Sequence, residues 1–405
     1  MKKVGPILLP IVLLELFLGG GGRFTALGPV SLRMILFGLA MIYTVLRFIK
    51  GERIESVHWT ALVLFILSTG ISTAIGFINN ADHTLIYTDV KPLSYFVMLP
   101  FFALTITNKK SLDQISKLLV ASALILAVLY LTLLALVNTS IIPFKFFYQF
   151  TLPSEELFYR GELAFFYKGF IFLCIGLIFT YFNRPPYWKF IAIILFSAIL
   201  LTFTRGFILA LALAAFSYLI IGNTSSKVKL IGVPVVILIA LMVIFKGNDI
   251  YASISKQVHA SEIKTDFTRE IKPENLLGNR DFSNNERKKQ FDQVLSSTTF
   301  LSALIGHGFG IGVPVRPVHM EISYLEIFHK QGVLGLIFWA FIFFLLTRSY
   351  FKARTNYPHL CNAFYFSSLF IFYQSLTNQY FNNPIGMSFI LISLVSLHLI
   401  SEKDG

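Results

Sequence analysis

A histidine and a glutamate stand two residues apart in a polar segment near the end of the one long polar interval of an otherwise apolar chain. The segment reads Arg316-Pro317-Val318-His319-Met320-Glu321 and leads directly into apolar sequence. Two proton acceptors beside an arginine are the side chains expected for general-base catalysis next to an anionic leaving group. The residues leave open whether His319 or Glu321 is the base. A histidine with a structural or solvated role is the alternative interpretation.

A glycine-rich turn, Gly306-His307-Gly308-Phe309-Gly310, precedes this segment. Glycines allow the backbone to approach another group closely, and Gly308 is therefore a candidate contact for an anion. Simple termination of a helix is the alternative. The apolar residues between Asn285 and Leu304 recur at roughly helical spacing, which predicts an amphipathic helix before the turn. His, Asp and Glu do not show the tight spacing of a metal site, so we expect neither a metal nor another cofactor.

The composition indicates which elements must position these residues. The chain has 405 residues, of which 55% are hydrophobic and 14% charged, and this is too apolar for a soluble globular protein. Repeated apolar runs of roughly 17–25 residues predict an all-α polytopic membrane protein with about twelve transmembrane helices. We predict an N-terminal bundle of about nine helices over residues 1–246 and further helices over 333–405. One large extracytoplasmic loop with short helices, residues 247–332, carries the catalytic residues.

The basic residues are dispersed among alternate connections between the apolar runs. The net charge of +13 is therefore better explained by the positive-inside rule than by nucleic-acid binding. This pattern predicts that both termini are cytoplasmic and that the loop faces outward. Arg160 and Arg205 then fall at outer ends of spans. An arginine at membrane depth costs roughly 2.5–3.5 kcal/mol, so Arg205 is expected to face a polar cavity or a partner; snorkelling in a tight hairpin is the alternative.

The order of residues around the turn and the polar segment resembles the signature of the O-antigen polymerase and ligase family. The chain reads Leu-Ile-Gly-His-Gly-Phe-Gly, then His-Met-Glu-Ile-Ser-Tyr-Leu-Glu-Ile-Phe, then Gly-Val-Leu-Gly-Leu. Thr204-Arg205-Gly206 is similar to a Ser-Arg-Gly that is common in relatives, and Leu27 to Arg33 resembles the start of polysaccharide polymerases. The resemblance covers the whole topology, although its motifs are short.

This resemblance implies a glycosyltransferase-C-like enzyme that transfers glycans with inversion and without metal or nucleotide sugar. The implied donor is a glycan on undecaprenyl pyrophosphate. Arg205 matches the intramembrane arginine of the family, and Arg287 matches the loop arginine, with Arg280 as a close competitor. The further candidates for binding pyrophosphate or glycan are Arg316, Arg160, Gly308 and Tyr324.

In ligases a His-Asn pair stands before the helix that corresponds to Ser323-Tyr324-Leu325. Here Glu321 and Ile322 occupy those positions and His319 lies two residues earlier, an order more like the polymerases. We therefore expect a polymerase of repeat units in a bacterial inner membrane, with membrane lipid and a chain-length-regulating co-polymerase as further partners. An O-antigen ligase or a protein O-oligosaccharyltransferase is the alternative within the same chemistry. A flippase or secondary transporter is the non-enzymatic alternative.

Overall fold

The computed structural model describes residues 4–24, 26–27, 30–159, 164–222, 232, 234–236 and 280–402. Helices dominate this part of the chain, and two short hairpins accompany them. The helices are α1 (Gly5–Leu18), α2 (Leu32–Ile49), α3 (Ser56–Ile78), α4 (His83–Leu93), α5 (Leu99–Thr105), α6 (Lys109–Asn138), α7 (Phe144–Thr151), α8 (Ile171–Asn183), α9 (Trp188–Leu201), α10 (Arg205–Ile221), α11 (Arg280–Ser297), α12 (Phe300–Ile305), α13 (Ser323–Ala353), α14 (Pro358–Gln374) and α15 (Pro384–Glu402). The antiparallel hairpins pair β1 (Ala26–Leu27) with β2 (Val30–Ser31) and β3 (Leu157–Tyr159) with β4 (Phe165–Tyr167).

Five of these helices, α2, α3, α6, α13 and α15, are long and apolar enough to cross a membrane. Shorter apolar helices, α1, α9 and α10 among them, accompany these five. The prediction of an all-α polytopic membrane protein is thereby confirmed. The count of twelve spans, the three-part division of the chain and the side on which the loop lies stay predictions. Most of the predicted loop before residue 280 falls outside the described residues.

The chain forms two compact units. The first contains residues 1–12, 34–114 and 281–405, and the second contains residues 13–33 and 115–280. In the first unit α15 is buried on nearly every side, whereas α2 and α3 expose most of their surface. Ser393 and Ser396 are fully buried on α15, and such small residues permit close packing of helices. The core of the first unit therefore lies around α15 and its neighbours α13 and α14.

Helix α13 is interrupted at Gly332, and the interruption receives the glycine-rich turn. Gly332 has φ 66° and ψ −161°, a backbone conformation that favours glycine. Just before it, the His329 carbonyl accepts the N–H of His307 at 2.8 Å and the Lys330 carbonyl accepts that of Gly308 at 3.1 Å. The turn therefore ends α12, as the sequence predicts, and also satisfies backbone groups of α13.

The same turn packs on α3 through two glycines. A Cβ atom on Gly76 would lie 2.2 Å from the Phe309 carbonyl oxygen, and one on Gly308 would lie 2.2 Å from the Gly76 nitrogen. The N–H of Phe309 donates to the Ser72 carbonyl at 3.0 Å, and the Asn79 side chain donates to the His307 carbonyl at 2.9 Å. The backbones of the turn and of α3 are thus in direct contact.

We expect Gly76→Ala to destabilise the protein by roughly 1–3 kcal/mol, because the added methyl group meets rigid backbone rather than a movable side chain. Gly70→Ala is the matched control on α3, since a Cβ atom there has nothing within 4 Å. Thermal unfolding in detergent measures both. A Gly76→Ala protein with the midpoint of the control would show that the close contact does not contribute to stability.

The second unit contains its own buried charges. The Arg33 Nε atom donates to both Glu15 carboxylate oxygens, at 3.0 and 2.9 Å. Glu156 is fully buried and accepts the backbone N–H groups of Gly21 at 2.8 Å and Arg23 at 2.9 Å. These contacts hold the glycine-rich segment after α1 against the segment that precedes β3.

Candidate active site

The most deeply buried charged group of the first unit is the ammonium of Lys330, at 2% exposure. Its Nζ atom donates to Asp89 Oδ1 at 2.7 Å, to Glu326 Oε1 at 2.8 Å and to the Val318 carbonyl at 2.6 Å. A lysine ammonium has three N–H donors, and all three are used here. Lys330 and Glu326 are one helical turn apart on α13, whereas Asp89 comes from α4. The cluster therefore joins two helices and the segment that precedes α13.

The two carboxylates of this cluster are satisfied by further donors. The second oxygen of Asp89 accepts the N–H of Gly310 at 2.8 Å. The second oxygen of Glu326 accepts the Gln379 amide at 2.5 Å and also the Asn382 amide. Burial raises the pKa of the Asp89 carboxyl above its ordinary value, while the Lys330 ammonium and the Gly310 N–H act in the opposite direction. The glycine-rich turn and the connection between α14 and α15 thus meet at this cluster.

His319 lies at the border between this cluster and solvent. Its Nδ1 atom is 3.3 Å from Glu326 Oε1 and 3.5 Å from Asp89 Oδ1, and 41% of the side chain is exposed. A carboxylate that accepts from Nδ1–H fixes the tautomer in which Nε2 carries the free lone pair. Among the described residues Nε2 has no hydrogen-bond partner. The contact at Nδ1 therefore orients the imidazole, and Nε2 is available to accept a proton.

Glu321 lies between two arginines. Arg287 Nε donates to one carboxylate oxygen and an Arg316 terminal nitrogen to the other, each at 2.8 Å. All three side chains are partly exposed. One carboxylate and two guanidinium groups leave a net charge of +1 at the surface. The structure thus brings together four of the predicted residues, His319 with Glu321, Arg287 and Arg316, in one short segment and the helix beside it.

Helix α11 is attached to this segment by side-chain hydrogen bonds. Gln290 accepts the N–H of Glu321 at 3.0 Å, and Gln293 accepts that of Val315 at 3.0 Å. Val294 packs in a small core with Met320, Val313 and Leu325. Of the apolar positions that predicted the helix, only Val294 is buried; the exposed ones are Phe291, Leu295, Leu301 and Leu304. The predicted single helix is in fact two, because Thr299 caps the start of α12 and separates it from α11. On α11 the residues that face inward are Gln290 and Val294, one turn apart.

The other predicted residues have different surroundings. The backbone of Gly308 packs closely against α3, and its N–H donates a hydrogen bond to the Lys330 carbonyl. The Tyr324 hydroxyl donates to the Phe372 carbonyl at 3.0 Å, and its ring packs on Phe381. Arg205 begins α10 in the second unit after a three-residue connection, and it is partly buried. Arg160 and the side chain of Arg280 lie outside the described residues.

The sequence interpretation missed the residues that hold His319, namely Asp89, Glu326, Lys330, Gln379 and Asn382. A charged residue in an apolar span is a signal, because such residues normally face a partner or a cavity. Glu326 and Lys330 at i and i+4 carry this signal at the start of α13. Asp89 carries no such signal, because nothing in its local sequence indicates that it contacts a helix some 240 residues later. His329 is buried against His307, with ring centroids 4.5 Å apart.

Asp89, His319 and Glu326 are also spaced closely enough to hold a metal ion. In this cluster, however, the Lys330 ammonium lies within 2.8 Å of both carboxylates. The position at which a cation would bind these oxygens is thus taken by a side chain of the protein. The described residues therefore orient His319 through carboxylates that Lys330 already neutralises in part.

The chain is similar to known proteins over this site and beyond it. Residues 190–340, which include Arg205 and the segment from His319 to Glu321, match the family described as O-Antigen ligase. Over 411 aligned residues the chain is 26% identical to an O-antigen polymerase of Shigella flexneri, and the match covers 100% of this chain and 97% of that relative. Both similarities include the segment from His319 to Glu321.

Proposed function

We propose, from the similarity to the O-antigen polymerase and ligase family, that the protein polymerises lipid-linked polysaccharide repeat units at the outer face of the inner membrane. It acts as a glycosyltransferase on a glycan carried by undecaprenyl pyrophosphate. The observation that carries the proposal is the oriented imidazole of His319 two residues before Glu321, which pairs with two arginines. A base and a cationic group are what transfer from a pyrophosphate carrier requires.

In this mechanism His319 Nε2 takes the proton of the acceptor sugar hydroxyl. The hydroxyl oxygen bonds to the anomeric carbon of the donor, and the bond from that carbon to the phosphate oxygen breaks on the opposite face. The pyrophosphate leaves with the electron pair and its lipid, and the anomeric configuration inverts. Nδ1 keeps its proton throughout and donates a hydrogen bond to Glu326 Oε1, while Asp89 Oδ1 lies 3.5 Å from the same nitrogen.

The charge of the Lys330 cluster supports His319 as the base. Asp89 and Glu326 contribute −2 and Lys330 contributes +1, so the cluster has a net charge of −1 next to His319. Proton transfer to His319 brings this sum to zero. Preorganised charge that is complementary to the product of proton transfer favours the transfer. Glu321, in contrast, is held by Arg287 and Arg316, and we propose that it orients those two side chains.

The arginines bind the pyrophosphate in this proposal. Guanidinium groups present N–H donors in a geometry that matches phosphate oxygens. Arg287 and Arg316 are partly exposed, so an anion can reach them. Arg205 is proposed from the resemblance as a further ligand of the pyrophosphate. It begins a 17-residue helix, and the N-terminus of a helix also attracts anions.

Reconstitution tests the proposal. The purified protein in liposomes is given a polyprenyl-pyrophosphate-linked repeat unit, and products are separated by length. We expect a ladder of polymers that is reduced at least tenfold by Arg287→Ala and retained by Lys288→Ala, an exposed residue of the same helix. Arg205→Ala is measured alongside.

Two results would contradict the proposal that the protein is a polymerase. The match to the family described as O-Antigen ligase favours a ligase as second candidate. Transfer to added lipid A core without a ladder would establish that reaction instead. Movement of the substrate across the bilayer, with no new glycosidic bond, would establish a flippase.

A further inference from the structure

A second cluster of titratable side chains lies in the first unit, where α3 begins and α15 ends. Glu55 precedes α3 and His58 lies in its first turn, while His398 and Glu402 lie in the last turns of α15. Spacings of three and four residues place each pair on one face of its helix. Ligand atoms of Glu55, His398 and Glu402 lie within 4.8 Å of one another. Each helix therefore presents one imidazole and one carboxylate to the other.

The buried nitrogen atoms of His58 have no hydrogen-bond partner among the described residues. Its side chain is buried, with 3% of the residue exposed. Its ring centroid lies 5.0 Å from that of His398, with the ring planes 82° apart. His398 Nε2 is likewise unbonded, 3.7 Å from the nearest Glu402 oxygen. Buried polar atoms without a partner are uncommon and indicate a missing ion or water.

We propose that His58, His398, Glu55 and Glu402 bind a divalent transition-metal cation of the Zn²⁺ class. Two imidazole nitrogens and two carboxylate oxygens supply the four ligands of a closed tetrahedral site, and two carboxylates balance the charge of the ion. In helix bundles a glutamate followed three residues later by a histidine recurs at metal sites between facing helices. The ion joins the start of α3 to the end of α15.

Two features limit how tightly the site binds. Ligand atoms around Zn²⁺ lie roughly 3.4 Å apart. Those of Glu55, His398 and Glu402 must therefore approach from within 4.8 Å, and His58, which lies outside that spacing, must turn toward them by a rotamer change. Arg348 and Lys352 of α13 interact electrostatically with His398 and oppose a cation. Glu55 and Glu402 act against them. The cluster at Asp89, His319 and Glu326 differs, because Lys330 supplies its positive charge internally.

Zn²⁺ binding to the full-length protein tests the site. The protein is purified in detergent, stripped with EDTA and dialysed against Zn²⁺, and bound metal is measured by mass spectrometry. We expect about one ion per chain, lost in His398→Ala and weakened at least tenfold in Glu402→Gln. His359→Ala, an exposed histidine at the start of α14, is the matched control and keeps the ion.

Thermal unfolding gives a second readout, because an ion that binds only the folded state raises the midpoint. The rise is expected for the wild type and His359→Ala and is absent from His398→Ala. The proposal is overturned if the wild type binds no Zn²⁺, or if Glu402→Gln and His398→Ala bind it as the wild type does. Glu402 is largely exposed, so its variant is informative even where His58→Ala does not fold. Loss of polymerisation in His319→Ala, with Zn²⁺ binding intact, separates this site from the proposed active site.

Discussion

His319→Ala is expected to slow glycan transfer by about 10²–10⁴-fold, the usual contribution of a positioned general base. The side chain is 41% exposed and contacts the cluster through Nδ1 alone, so its removal leaves folding largely intact. The rate of ladder formation in liposomes measures the effect, with insertion checked by thermal unfolding. His83→Ala, another exposed histidine of the first unit, is the control and keeps the wild-type rate.

Glu321→Gln decides between the two candidate bases. If His319 is the base, this change removes only the partners of Arg287 and Arg316, and we expect a loss of about tenfold or less through weaker orientation of the arginines. Partly exposed ion pairs contribute roughly 0–1 kcal/mol each, so stability changes little. An inactive Glu321→Gln protein beside a fully active His319→Ala protein would reverse the assignment.

Lys330→Met is expected to destabilise the first unit by about 3–5 kcal/mol, the cost of leaving buried charge uncompensated. The substitution preserves the length of the side chain but leaves Asp89 and Glu326 facing each other without the ammonium. Burial already raises the pKa of Asp89, so the loss of Lys330 drives that carboxyl further toward its neutral form. Thermal or denaturant unfolding in detergent measures the change.

A double variant separates charge from packing. Lys330→Met with Asp89→Asn removes one charge of each sign, so it should recover part of the stability that Lys330→Met alone loses. Lys352→Met, at an exposed position of α13, is the control and remains close to the wild type. A single variant as stable as the wild type would contradict the account of Lys330 as the charge that holds the cluster together.

The sequence by itself indicated the membrane class and the resemblance to the O-antigen polymerase and ligase family. Both depend on local information. Apolar runs long enough for a bilayer core indicate the membrane class, and short motifs such as Gly306 to Gly310 and His319 to Glu321 carry the resemblance. A helix in this region was predictable for the same reason, whereas its end at Ser297 was not. Which face of it turns inward was not predictable either, because Gln290 is buried through a hydrogen bond to Glu321 rather than through apolar spacing.

Only the tertiary structure decided what surrounds His319. Asp89, Glu326 and Lys330 come from helices far apart in the chain, and no local pattern pairs a charge on α4 with one on α13. Burial makes that pairing necessary, since an isolated charge inside the protein is costly. The sequence could identify the imidazole, but its orientation by two carboxylates depends on how the glycine-rich turn packs between α3 and the break in α13.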